Sequence, residues 1–272
     1  ADELRQEIRK TKGLTDKPFG VNISLFPATR PLPNDEYVNT LIEEGVRVVE
    51  TSGIRSPEEY VERFRKANIR LIHKVASVRH AVAAERAGVK IGAIILVENG
   101  GAVGMDDITT FILIPLAVDA VKIPVIAGGG IGDARGFVAA LALGAEGVVM
   151  GTRFMATHEC LAHPKFKEWM VRSKETDTVV VERSIRFSHM ALRNRATEKV
   201  LEMEARGTTL EELLTVTAGD KSRQVLEEGD LDAGLAYCGQ VVGLIHEVLS
   251  VKEVIDNIAN GATAIQERLS SD

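Results

Sequence analysis

From Phe19 to Met150, short apolar runs rich in β-branched residues alternate with amphipathic stretches, and a glycine usually closes the stretch before the next run begins. The runs are Phe19–Leu25, Val46–Thr51, Arg70–Val75, Ile91–Val97, Pro124–Ala127 and Gly147–Met150. Because they are apolar almost throughout, they predict strands buried on both faces, which is the pattern of a parallel sheet. Helix ends are legible between them. Ser56 before Pro57 offers an N-cap with proline in the first turn, and Gly45, Gly88 and Gly144 stand where a left-handed C-terminal cap is needed.

Regular strand–helix alternation is compatible with an open doubly wound sheet or with a closed barrel, and no G-x-G-x-x-G follows an early strand, which favours the barrel. A full barrel closes on eight strands, whereas this chain opens in a helix-like segment, Asp2–Lys12, with no strand before it. The predicted class is therefore α/β, a TIM-type (β/α)8 barrel with six visible parallel strands, lacking about two N-terminal β/α units. An open sheet of that kind would expose two edges to pairing with another chain. Beyond Phe154 the pattern turns helical, with capping boxes at Thr209–Glu212 and Ser250–Glu253 and one β-rich stretch, Thr178–Val181. The expected parts are a barrel portion over 1–157, a helical subdomain over 158–235 and a helical return to the barrel over 236–272.

Composition narrows the function classes. A net charge of −6 and a pI near 5.7 leave no basic stripe for a polyanion, so nucleic acid is not an expected partner. Two cysteines, Cys160 and Cys238, are too few for a disulfide scaffold and are not spaced as a zinc site, which points to a reducing, cytoplasmic setting. Apolar stretches such as Phe137–Leu143 fall well short of the roughly 20 residues of a membrane span, and the charged start is not a signal peptide.

The strongest chemical signal is PVIAGGGIGDAR, Pro124–Arg135, followed one unit later by GAEGVVMGTRF, Gly144–Phe154. Two consecutive strands end in glycine. At the mouth of a barrel, glycines let backbone amides approach an anion, a following helix N-terminus adds its dipole, and the last two strands form the usual phosphate site. The competing reading is that Gly128, Gly129 and Gly130 only make a tight turn and Gly151 only ends a strand. A second candidate is the long polar loop ENGGAVGMDD, Glu98–Asp107, which would cover a cofactor face, or whose Asp106 and Asp107 would simply cap the next helix.

Lys74, at the end of a strand, suits a phosphate or a reduced cofactor's negative charge, and period-two alternation turns its neighbour His73 to the other face as a packed or surface residue. Asn22 ends a strand and offers an amide to a heterocycle edge, or serves only as a turn residue. His158 and His163 lack metal-ligand spacing, and His189 and His246 read as isolated surface or packing residues on helical segments. Neither cysteine has a partner histidine in a known arrangement, so both read as small buried side chains.

PFGVN (Pro18–Asn22), HKV (His73–Val75), PVIAGGGIGDARG (Pro124–Gly136), ALALGAEGVVMGTRF (Ala140–Phe154) and CGQVVGLI (Cys238–Ile245) occur in an order that resembles the nitronate monooxygenases, formerly 2-nitropropane dioxygenases. Related NAD(P)H:quinone reductases and flavin-dependent enoyl-ACP reductases share much of the pattern. The resemblance implies FMN at the barrel mouth. Its binding residues would be Asn22 and Lys74 at the isoalloxazine or ribityl chain, Gly128, Gly129, Gly130, Met150, Gly151 and Thr152 around the phosphate, and Gln240 close by. It also implies a small-molecule substrate and makes a homodimer plausible; no metal is expected, because the histidines and cysteines lack ligand spacing.

Two departures matter. The family loop runs Glu-x-Gly-Gly-His, with the histidine beside the flavin, but here Ala102 follows Gly101, so no catalytic residue is assigned. An alanine cannot abstract a proton; a neutral nitroalkane would need another base, the nearest titratable residues being Asp106, Asp107 and His189, whereas an anionic nitronate or a hydride from a nicotinamide would need none there. Family members also carry about two further β/α units ahead of Ala1, so a chain of this length is expected to bind FMN weakly or not at all. Three readings follow: oxidation of alkyl nitronates through flavin with oxygen as acceptor, NAD(P)H-driven reduction of a quinone or enoyl thioester on the same flavin, and a truncated non-catalytic member.

Overall fold

A computed structural model of the chain describes residues 1–25, 32–53, 55–95 and 98–271. It divides into two compact units, Ala1–Ile94 with Leu116–Ile126, and Ile95–Pro115 with Ala127–Asp272. In chain order the first part runs α1 (Asp2–Leu14), β1 (Gly20–Ser24), α2 (Asn34–Glu43), β2 (Val48–Ser52), α3 (Glu58–Lys66), β3 (Arg70–Val75), α4 (Val78–Arg86) and β4 (Ile91–Ile95). Next come β5 (Gly101–Ala102), α5 (Thr110–Ala120), β6 (Val125–Gly128), α6 (Ala134–Ala142), β7 (Gly147–Val149), α7 (Thr152–Met155) and α8 (Pro164–Arg172). The chain finishes with β8 (Thr178–Val181), β9 (His189–Leu192), α9 (Arg195–Ala205), α10 (Leu210–Thr217), α11 (Gly219–Arg223), β10 (Ala236–Tyr237) and α12 (Val251–Ser270).

Strands β1, β2, β3, β4, β6 and β7 neighbour one another in that order. Sequential order is what a β/α barrel requires; a doubly wound sheet would reverse direction at a switch point. All six predicted strands are present, displaced by a residue or two at their ends, and the predicted extension of the fourth over Leu96 and Val97 lies outside the described residues.

In the first unit the pleat sorts side chains in register. Asn22 pairs with Glu50, and Ile23, Thr51 and His73 pair in turn. Ile23, Val49, Leu71 and Val75 are buried. So are Val38 and Leu41 of α2, Tyr60 and Phe64 of α3, and Ala81 and Ala84 of α4. Each large apolar side chain removed from water contributes about 1.5–3 kcal/mol. α1 is pinned by charge: Arg5, Arg9 and Lys12 converge on Glu44, and hydrogen bonds from Arg9 and then Arg5 hold that carboxyl down at about 2.

The expected caps are found at Gly45, Gly88 and Gly144, with φ of 64°, 95° and 96°, and both predicted capping boxes form. At the start of α3 the Ser56 hydroxyl accepts the Glu58 amide at 3.3 Å, but the helix itself begins one residue later than expected, with Pro57 at the cap.

The second unit carries more sheet than its sequence pattern suggests. β8 and β9 pair antiparallel, and β9 also pairs with β10 and β5. Two of these strands are two residues long, too short for a period-two signal. A core of Phe166, Met170, Leu192, Val225, Cys238, Val242 and Ile245 lies beneath them. No described helix is long and apolar enough to cross a membrane.

Candidate functional site

After β6 the backbone turns through Gly129 and Gly130 with φ of 105° and 69°, values that side-chain-bearing residues rarely adopt. Successive amides in such a turn converge on one point and form an anion-binding concavity. Neither amide donates to a protein acceptor among the described residues. A Cβ on Gly151, the exposed residue after β7, would meet nothing within 4 Å, whereas one on Gly130 would stand in van der Waals contact, at 3.5 Å, with Glu98 and Thr110. These are the features a phosphate needs, so the residues fit the phosphate end of a flavin nucleotide.

The expected helix dipole behind the first turn is already engaged. Asp133 caps α6, its carboxylate accepting the amides of Arg135 at 2.9 Å and Gly136 at 3.2 Å. The concavity is therefore built from turn amides and not from the end of α6.

Both glycine turns rest on the segment Cys238–Val241. The Thr152 hydroxyl accepts the Gly239 amide at 3.0 Å, and a Cβ on Gly132 would come within 2.5 Å of Val241 Cγ2. The same segment lies backbone to backbone against the loop after β4. A Cβ on Gly239 would stand 2.5 Å from the Glu98 carbonyl oxygen, and one on Gly100 would stand 2.8 Å from Cys238. The Gln240 amide donates to Glu98 O at 3.2 Å, while its side chain is exposed.

Glu98 organises this rim, a role its sequence context did not reveal. Its Oε2 accepts the Thr110 amide at 2.9 Å and the Thr110 hydroxyl at 2.5 Å, capping α5, and the same hydroxyl reaches Gly129 O at 3.3 Å. Asn99 Nδ2 donates to the carbonyls of Gly100 at 2.7 Å and Ala102 at 3.0 Å, which leaves its Oδ1 buried with no partner among the described residues. An orphaned buried acceptor is costly, and it marks the rim as a place where a ligand donor is wanted.

Ala102 lies in β5, and its register partner on β9 is His189. That histidine is therefore on a strand, not on the helical segment expected from the sequence; His246 lies in the loop after the 3₁₀ turn Gln240–Leu244. His189 Nδ1 meets Glu182 Oε2 at 2.5 Å, with side-chain exposures of 13% and 5%. Phe187 stands edge-on to the ring at 4.7 Å and Tyr237 lies at 5.4 Å. The loop is tied to the β8–β9 turn by a two-point ion pair of Asp107 with Arg183, at 2.7 and 3.1 Å, and by the Val103 amide on Ser188 O at 3.0 Å. Asp107 is thus a tether and not a helix cap, while Asp106 is exposed.

Asn22 and Lys74 come together in the first unit. Asn22 sits in the middle of β1, not at its end, and donates to Glu50 Oε1 at 2.8 Å. Lys74 pairs with the same carboxylate at 2.7 Å. Glu50, a residue without a motif of its own, already supplies the negative partner Lys74 was expected to seek in a ligand. His73 is on the opposite face, buried, with Nδ1 2.9 Å from Thr51 Oγ1, and burial pushes it down to about 4. The remaining cofactor candidates, Gly128, Gly129, Gly130, Met150, Gly151, Thr152 and Gln240, belong to the second unit.

Residues 1–261 match the family model described as nitronate monooxygenase. Among curated proteins, the Rhodococcus jostii (3aS,4S,5R,7aS)-5-hydroxy-7a-methyl-1-oxo-octahydro-1H-indene-4-carboxyl-CoA dehydrogenase is 32% identical over 96% of this chain and 82% of its own length. A probable nitronate monooxygenase of Staphylococcus haemolyticus is 36% identical over 66% of this chain and 62% of its own. Among solved structures, FabK from Thermotoga maritima superposes with a TM-score of 0.91 at 39% identity, over 99% of this chain and 84% of that one.

Proposed function

We propose, since this chain belongs to the nitronate monooxygenase family of flavin-dependent oxidoreductases, that it holds FMN by its phosphate at the glycine rim of the second unit and oxidises alkyl nitronates with oxygen as acceptor. The observation that carries the cofactor reading is the pair of glycine turns resting on one segment, with the amides of Gly129 and Gly130 free of protein acceptors among the described residues. Bound FMN would supply the electron-pair transfer; the protein's share is to bind, orient and exclude water. Gly129, Gly130, Gly151 and Thr152 present backbone amides to the phosphate, and Thr152 and Glu98 keep their turns in place through Gly239 and Thr110. Ala102 supports an anionic substrate, because a nitronate arrives already deprotonated and asks nothing of that side chain.

A second reading, NAD(P)H-driven reduction of a quinone or enoyl thioester, is favoured by one observation: the Rhodococcus relative, which matches almost all of this chain, acts by its name on a CoA thioester. Anaerobic mixing of the FMN-loaded protein with each reductant separates the two. Bleaching by an alkyl nitronate, with colour returning on admission of oxygen, is the expected result. Bleaching by NAD(P)H alone transfers the assignment to the reductase reading.

A further inference from the structure

We infer that the loop 156–160 is a binding site for a monovalent cation of ammonium or potassium size, and that in this protein the ion is supplied by the side chain of Lys167. The loop and its lysine lie in the second unit, and neither supplies a residue assigned to the flavin.

A lysine stands where the helix calls for an apolar residue. The buried positions of α8 are Phe166, Lys167 and Met170, one face of the helix, and Lys167 is only 8% exposed. An ammonium group taken out of water must recover its hydrogen bonds from the protein. No carboxylate among the described residues pairs with it. Its Nζ donates instead to Thr157 O at 2.6 Å, to Cys160 O at 2.6 Å and to His158 O at 3.5 Å, two close contacts and one at the edge of hydrogen-bonding range. The three N–H donors of the ammonium are thus matched by three carbonyl oxygens.

Those carbonyls belong to the loop and not to a helix end. α7 stops at Met155 and α8 starts at Pro164, so Thr157, His158 and Cys160 lie beyond the last turn, where a basic side chain would be commonplace. The carbonyl before them is turned toward a cation as well: Ala156 O accepts from Arg153 Nη2 at 2.8 Å, and Arg153 is 6% exposed. Four of the five carbonyls from 156 to 160 therefore face buried positive charge. Carbonyl dipoles aimed at a common centre repel one another, and they are held there by a cation whose hydration shell they replace. Ammonium and potassium are close in size, so a free ion of that class fits where the lysine's ammonium stands.

Much hangs on this loop. The His158 amide donates to Leu249 O at 2.9 Å, Thr157 bridges to Leu249, and the Glu159 carboxylate accepts the Val251 amide at 2.9 and 3.0 Å where α12 begins. Arg153 adds a bond to Glu247 O at 3.0 Å. One tethered cation thus sets the seam between the end of α7 and residues 247–251, and no ion from solution is needed to close it.

In the test, Lys167→Met keeps an apolar stem and removes the ammonium. Thermal unfolding is followed by circular dichroism in choline chloride, whose cation is too large for the loop, and in lithium, sodium, potassium and ammonium chloride at equal ionic strength, so that screening is the same throughout. Wild type in each salt supplies the baseline. In choline, Lys167→Met should unfold at least about 5 °C below wild type, because the converged carbonyls are left without a donor. Potassium or ammonium should restore at least about half of that loss by binding the folded form, and sodium and lithium much less. A midpoint equal to wild type in choline, a loss that no small cation relieves, or one that all four relieve equally overturns the inference. Should Lys167→Met fail to fold, wild-type protein carries a second readout. With 15N-labelled lysine, NMR should show an ammonium resonance protected from solvent exchange that is absent in Lys167→Arg, whose guanidinium keeps the charge. A wild-type spectrum without such a resonance overturns the inference equally.

Discussion

The Thr152 hydroxyl accepts the amide of Gly239 at 3.0 Å, across 87 positions of sequence, and so joins the turn after β7 to the segment that crosses the glycine rim. Both groups are buried. Thr152→Val keeps the volume but strands the Gly239 N–H, which should cost about 1–3 kcal/mol in urea unfolding and weaken FMN binding. Thr152→Ser should restore most of both. A valine variant as stable as wild type, with the same FMN titration curve, would show that the bond does not hold the rim.

Gly151 and Gly239 separate ligand approach from packing. Gly151 has open space where a Cβ would go, so Gly151→Ala should leave stability within about 0.5 kcal/mol and still raise the FMN dissociation constant if a phosphate lies against that backbone. Gly239→Ala drives a Cβ to 2.5 Å from Glu98 O and should destabilise the protein by about 1–3 kcal/mol before any ligand is added. Equal effects of the two substitutions on the apoprotein would contradict the assignment of these roles.

His73 gives the fold an acid limit. Burial holds its imidazole at about 4 against 6.5 for the free group, so the unfolded chain binds a proton where the folded one does not. The stability contributed by keeping it neutral is complete above about pH 6.5 and is lost as the pH falls to about 4, a change on the order of 3 kcal/mol. His73→Gln should flatten that part of the stability–pH curve, as measured by denaturant titration at a series of pH values. A variant curve parallel to wild type from pH 7 to 4 would mean the loss comes from other groups.

The two thiols should differ sharply in reactivity. Burial raises Cys238 to about 12, and the residue is fully enclosed, while Cys160 is half-buried. An aromatic disulfide reagent at pH 8 should therefore modify Cys160 alone in the folded protein and both residues after unfolding. Rapid native labelling of Cys238, located by mass spectrometry, would disprove the packing described for the return segment.

What could be read from the chain was local. The six strands follow from apolar runs buried on both faces, and the helix ends follow from Gly45, Gly88, Gly144 and the two capping boxes, because each needs only neighbours within a few residues. The glycine turns are legible for the same reason: a triple glycine after a strand has few other uses. The short strands β5 and β10 were not legible, since two residues carry no periodicity and owe their conformation to pairing with β9.

The sequence by itself determined the alternation of strand and helix, the buried faces, the glycine-ended strands and the alanine at position 102. Only the tertiary structure decided that Glu50 meets Lys74, that Glu98 pins the rim through Thr110, and that His189 lies across from Ala102 with Glu182 behind it. The physical reason is one of range. Periodicity and capping are written in adjacent residues, whereas a register partner or a shared carboxylate is set by which distant strands pair, and the linear pattern does not record that choice.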